Sequence, residues 1–85
     1  MAEFTYEALF AYLERIGFED TSRSDFEKTF EHPTLGILLA FSMLEDTAVN
    51  RSVRDADITS TEFHLQQHGL LSGPLAGAAH RLSET

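Results

Sequence analysis

The sequence predicts an α+β domain. Three antiparallel strands form a sheet with two main helices on one face, in the order α-β-β-β-α, and a short C-terminal helix follows. Three observations carry that reading. Phe26, Lys28, Phe30 and His32 alternate with Glu27, Thr29 and Glu31, the period of a half-buried strand. After the break His32-Pro33-Thr34-Leu35-Gly36, the run Ile37-Leu38-Leu39-Ala40-Phe41 is almost wholly apolar, so the two stretches read as strand, turn and strand. On either side of this hairpin, apolar residues recur at helical spacing. A chain of 85 residues without cysteine needs a compact aromatic core, and seven Phe and two Tyr can supply one. Each removes about 150–250 Å² from water when buried.

In chain order, Tyr6, Leu9, Phe10, Leu13 and Ile16 share one stripe of a helix that begins at Ala2 or Thr5 and ends at Ile16. Gly17 suits the left-handed stop, and Phe18 just beyond can fold back on the last turn. Tyr12 falls off the stripe and Phe4 lies at its start, so both read as partly covered flank residues. Phe18 to Ser22 forms a first short strand, and Thr21-Ser22-Arg23-Ser24-Asp25 turns into the second. With Phe30 turned to the core, Glu27, Thr29 and Glu31 fall on the opposite, open face of the sheet.

The third strand is apolar on both sides. Its outer face therefore needs cover from the 43–53 segment, from the C-terminus or from a second subunit, and some of Leu38, Ala40, Met43 or Leu44 should remain exposed. Met43 to Val53 shows no clear period and reads as a long loop tacked down by Met43, Val49 and Val53. Asp55 or Asp57 can cap a second helix running to His68, with Ile58, Thr61, Leu65 and Phe63 inward and Gly69 as its stop. Leu70 and Leu71 re-enter the core. Gly73-Pro74 then opens a last helical segment with Leu75, Ala78, Ala79 and Leu82 at helical spacing. The predicted core joins Leu9, Leu13, Ile16, Phe30, Leu39 or Leu38, Ile58 and Leu65.

Fourteen acidic residues against six basic ones give a net charge of -8, the wrong sign for affinity built on phosphate neutralisation. Nucleic acid is thus disfavoured; the charge reads first as a solvated surface that keeps a small protein soluble, and otherwise as a match for a basic partner. No apolar run reaches the roughly 18 residues of a membrane span, and the N-terminus has no basic-then-apolar leader, so a cytoplasmic protein away from membranes is expected. His64 and His68 stand at i and i+4, yet Leu65 holds the place where a zinc protease motif has Glu, so the pair reads as surface histidines. No metal or other cofactor is expected. There is no Cys nucleophile, G-x-S-x-G or glycine-rich phosphate loop, and carboxylate pairs such as Glu19-Asp20 and Glu45-Asp46 are expected by chance in so acidic a chain.

Between Phe4 and Leu71 the chain resembles the HicA-like (YcfA-like) toxin family. The resemblance rests on Leu13-Glu14-Arg15-Ile16-Gly17-Phe18, on Phe30-Glu31-His32-Pro33 with Gly36-Ile37-Leu38-Leu39-Ala40-Phe41, and on Val53-Arg54-Asp55-Ala56-Asp57-Ile58 leading into Leu65-Gln66-Gln67-His68-Gly69-Leu70-Leu71. It implies a fold similar to double-stranded-RNA-binding domains. It also implies RNA cleavage by a histidine in a Gly-Ser/Thr-His turn at the start of the second strand, on the open face and among basic residues. Here the turn reads Ser24-Asp25-Phe26-Glu27, with Glu27 where the histidine is expected and Asp25 where the glycine is. An ionised carboxylate on a wet face cannot donate a proton to a phosphate and repels the RNA backbone.

The expectation is therefore a non-catalytic interaction or regulatory module, acting as a homodimer or on a basic partner. Its candidate open-face residues are Glu27, Thr29, Glu31 and His32. The alternative is an mRNA interferase or RNA-binding toxin of a toxin-antitoxin pair. That reading requires a basic patch from Arg23, Lys28, Arg51 and Arg54, or His32 as a substitute catalyst.

Overall fold

The computed structural model describes residues 4–43 and 49–83, the last four of these as backbone only. Helix α1 spans Tyr6–Arg15, strands β1, β2 and β3 span Glu19–Asp20, Glu27–Glu31 and Leu38–Ser42, and helices α2 and α3 span Asp55–Gln67 and Leu75–Ser83. The strands form an antiparallel sheet in the order β1-β2-β3. The expected α-β-β-β-α arrangement and its third helix are present. Leu44, Glu45 and Asp46 lie outside the described residues, as do the side chains of His80 and Leu82.

Thr5 starts α1 from an extended backbone, its hydroxyl accepting the Ala8 N–H at 3.2 Å. Gly17 ends it with φ +108°, while its own N–H bonds the Glu14 carbonyl and the Phe18 N–H bonds that of Leu13. This paired reversal satisfies carbonyls the helix would leave open, and it drives Phe18 into the core. The same device closes α2, where Gly69 N–H bonds Gln66 and Leu70 N–H bonds Leu65. Helix α3 is held at its start by a side chain of α2, since the Glu62 carboxylate accepts the Leu75 N–H at 2.7 Å.

One core sits on the inner face of the sheet. Tyr6, Leu9, Phe10 and Leu13 of α1 meet Phe30, Leu39 and Phe41, and Leu65 of α2 with Leu75, Ala78 and Ala79 of α3 closes the cluster. Phe10 is its centre, with ring centroids 5.0 Å from Phe30 and 5.6 Å from Phe41. The 43–53 segment joins as expected through Met43, Val49 and Val53. Its described part 49–53 is pinned to the start of α1: Thr5 and Ser52 form an antiparallel bridge, Val53 N–H bonds the Phe4 carbonyl, and Tyr6 and Glu7 N–H bond the Arg51 and Val49 carbonyls.

Several expectations are corrected. Phe63, expected inward, is 58% exposed, while the open alternative of Leu39 or Leu38 resolves to Leu39 facing inward. Ile16 and Ile58 lie at the margin of the core, half-buried, whereas Tyr12 is buried rather than flanking. Phe26 lies before β2 begins, in a bend whose Ser24 hydroxyl accepts its N–H, and its side chain is exposed although it keeps the phase of Phe30. The first strand shrinks from Phe18–Ser22 to two residues because Phe18 belongs to the helix stop. The third strand begins at Leu38, since Ile37 closes the turn through its carbonyl. Neither Asp55 nor Asp57 caps α2: the cap position is Arg54, and no side chain bonds there.

Asp57 is used elsewhere. Tyr6 donates its phenolic hydrogen to the Asp57 carboxylate and accepts the Arg54 backbone N–H at 3.3 Å. The Arg54 guanidinium bonds the same carboxylate oxygen at 3.2 and 3.0 Å and also the Ser42 carbonyl. Arg51 stacks on the Tyr6 ring with its central carbon 4.8 Å from the centroid. The starts of α1 and α2 and the end of β3 are thereby tied at one point.

Leu13→Ala removes a fully buried side chain and is expected to cost about 2–5 kcal/mol in denaturant unfolding. Burial, followed by the hydrogen bond to Asp57, raises the Tyr6 pKa above the usual value near 10. The stability this contributes is complete below that value and lost as pH rises through the folded one. An alkaline loss of stability that is smaller in Tyr6→Phe, followed by thermal unfolding between pH 8 and 11, is the expected result.

Candidate functional site

The outer face of the sheet follows from the register. Glu19 stands opposite Glu31 and Glu31 opposite Leu38; Thr29 faces Ala40, and Glu27 faces Ser42. Directly paired residues share a face, so this side carries Glu19, Glu27 and Glu31 around Thr29, Leu38, Ala40 and Ser42. Glu19, Glu27, Glu31, Leu38, Ala40 and Ser42 are exposed and Thr29 is half-buried. Neither α3 nor the described part of the 43–53 segment crosses this face, since both turn their apolar side chains into the core. The expected exposed patch is therefore Leu38 and Ala40, and Met43 is fully buried.

Thr29 is the best-tethered residue of the face. Its hydroxyl pairs with that of Thr21 at 2.9 Å, its N–H donates to the Ser22 hydroxyl at 2.9 Å, and its carbonyl accepts the Thr21 N–H. These bonds extend the β1–β2 contact past the two residues of β1. An open cleft of about 330 Å³ lies over them, lined by Thr21, Arg23, Ser24, Glu27, Thr29 and Leu38. At the loop's other side, Asp20, Ser22, Arg23, Ser24, Asp25 and Lys28 line a second depression. The Ser22 hydroxyl, then its backbone N–H, hold the Asp20 carboxyl below its ordinary pKa.

His32 does not join Glu27, Thr29 and Glu31 as a reactive group. Its Nδ1 accepts the Leu35 N–H at 3.2 Å, its backbone carbonyl accepts the Gly36 N–H, and its ring meets Phe18 edge-on at 5.2 Å. A Cβ at Gly17 would lie 2.8 Å from His32 Nε2. One imidazole thus shapes the β2–β3 turn and packs against the α1 stop. The sequence marked the residue, but only the fold shows this use of it.

The four cations named for a phosphate site are not brought together. They fall into two pairs: Arg23 and Lys28 line the second depression together with Asp20 and Asp25, and Arg51 and Arg54 sit at the Tyr6 ring. His64 is half-buried beside the Phe63 ring, and His68 is exposed. Among the described residues no group of three or more His, Cys, Asp or Glu could hold a metal ion, and no helix is long and apolar enough to cross a membrane. The Tyr6–Asp57 bond spans 51 residues, and no local pattern announces it. No family model, curated protein or solved structure matches the chain.

Gly17→Ala combines a left-handed φ with the close approach to His32 and is expected to cost about 1–3 kcal/mol. Part of that cost should disappear in the Gly17→Ala, His32→Ala double variant, with a coupling of about 0.5 kcal/mol or more in a thermodynamic cycle.

Proposed function

We propose that the chain is a non-catalytic interaction module, a divergent relative of the HicA-like toxins, that engages a basic protein segment through the outer face of its sheet. The observation that carries this reading is Glu27, an exposed carboxylate at the start of β2 where the resemblance calls for an imidazole. Glu31 shares its face, and Glu19 stands directly across from Glu31. Like charges placed opposite one another cost a sheet up to about 1 kcal/mol, and a cationic partner offsets that cost.

The same charges repel a phosphate backbone. His32, the nearest imidazole in the chain, has its Nδ1 occupied by the Leu35 N–H and its Nε2 turned toward Gly17. Exposed Leu38, beside Glu31, supplies an apolar contact among the carboxylates. The α-β-β-β-α order agrees with the fold the resemblance implies.

Purified protein is expected to leave single-stranded RNA intact and, on expression, to leave growth unaffected. Cleavage that is lost in His32→Ala overturns the non-catalytic reading. An oligoarginine peptide serves as the probe of the face: the Glu27→Lys, Glu31→Lys variant should bind it several-fold more weakly at low salt, and equal binding places the basic partner elsewhere.

A further inference from the structure

The hydrogen-bond rungs between β2 and β3 determine which backbone groups of β3 remain free. His32 N–H bonds Ile37 and Met43 N–H bonds the Phe26 carbonyl. The alternation of an antiparallel ladder then places the bonded pairs between them at Lys28–Phe41 and Phe30–Leu39. Leu38, Ala40 and Ser42 therefore point their N–H and C=O groups away from β2. The carbonyl of Thr29, opposite Ala40, accordingly accepts from Thr21 on the other side. Arg54 takes the Ser42 carbonyl, and among the described residues nothing takes the N–H or C=O of Leu38 or Ala40.

The two edges of the sheet are built differently. The β1 edge is two residues long, and both are charged, as proteins commonly blunt a free edge. The β3 edge is five residues, Leu38-Leu39-Ala40-Phe41-Ser42, with no charge and no proline. A narrow slot of about 60 Å³ runs along Leu38 to Phe41, walled by Asp57, Ser60, Thr61 and His64 of α2. Leu38, in its lining, is 61% exposed.

We propose that the β3 edge pairs with the β3 edge of a second copy, joining two sheets of three strands into one of six about a twofold axis. The absence of charge on β3 is what admits a second copy at this edge. A chain of net charge -8 repels its copy across any face where carboxylates meet, and β3 is an uncharged strand that opposes no like charges when paired with itself. A twofold axis at Leu39 makes the pairing antiparallel, setting Leu38 opposite the second copy's Ala40 and leaving Ser42, whose carbonyl Arg54 holds, outside the bonded rungs. The free N–H and C=O groups are then bonded reciprocally, as in other strand additions at an exposed edge. The outer-face carboxylates keep their exposure, so this pairing is independent of the function proposed above.

Light scattering at micromolar concentration in moderate salt is expected to return twice the 9.5 kDa of one chain. Ala40→Pro deletes an N–H that serves only the free edge, so this variant should be monomeric at the same concentration and keep its far-ultraviolet circular dichroism. If that variant does not fold, hydrogen exchange on the unaltered chain decides, because the Leu38 and Ala40 amides should be protected in the dimer and exchange quickly on dilution. The mass of a single chain at all concentrations, a dimer that persists in folded Ala40→Pro, or a dimer whose Leu38 and Ala40 amides exchange freely would each overturn the proposal.

Discussion

The fold turns on one buried hydroxyl. Tyr6 is wholly enclosed at the start of α1, and a phenol in that position without a partner costs about 1–3 kcal/mol. The partner is the Asp57 carboxylate in the first turn of α2, and Arg54 holds that carboxylate while bonding the last carbonyl of β3. Three elements far apart in the chain therefore depend on the same charge. Helix α2 begins with no side-chain cap because Arg54, at the cap position, carries donors only, and Asp57 of its first turn is engaged by Tyr6 and Arg54.

A second constraint is the small size of the domain. Most of the described apolar side chains of the three helices, Phe63 excepted, and those of Met43, Val49 and Val53 are committed to one core, with Phe10 packed between the rings of Phe30 and Phe41. Nothing among the described residues is left to cover the other side of the sheet. That face is consequently wet and acidic at β1 and β2, and it turns apolar only where Leu38 and Ala40 reach it. The division separates a surface suited to cations from a strand edge suited to another strand.

Glu27 and His32 show how the same two residues read differently at the two levels. From the sequence, Glu27 is a departure from a nuclease pattern and His32 a conceivable substitute. In the fold, Glu27 is exposed beside a shallow cleft, while His32 gives Nδ1 to the turn and its ring edge to Phe18. The imidazole packs where a side chain at Gly17 would meet it, and the left-handed φ of Gly17 disfavours such a side chain independently.

Periodicity alone determined the order of the elements, the α1 stripe through Leu13, the hairpin around Pro33 and Gly36, and the glycine stops at Gly17 and Gly69. These depend on local steric preference and on burial of one face, which repeat at the spacing of a helix or a strand. The placement of Glu27, Thr29 and Glu31 on the open side followed from the same alternation. Only the tertiary structure decided between Leu38 and Leu39, exposed Phe63, and took Asp57 from capping to Tyr6. In each case composition allowed both outcomes, and the choice lay with a residue distant in sequence: Phe30 opposite Leu39, and Tyr6 reaching across 51 positions. Such long-range pairings leave no periodic trace, because the energy that selects them exists only once the chain has closed on itself.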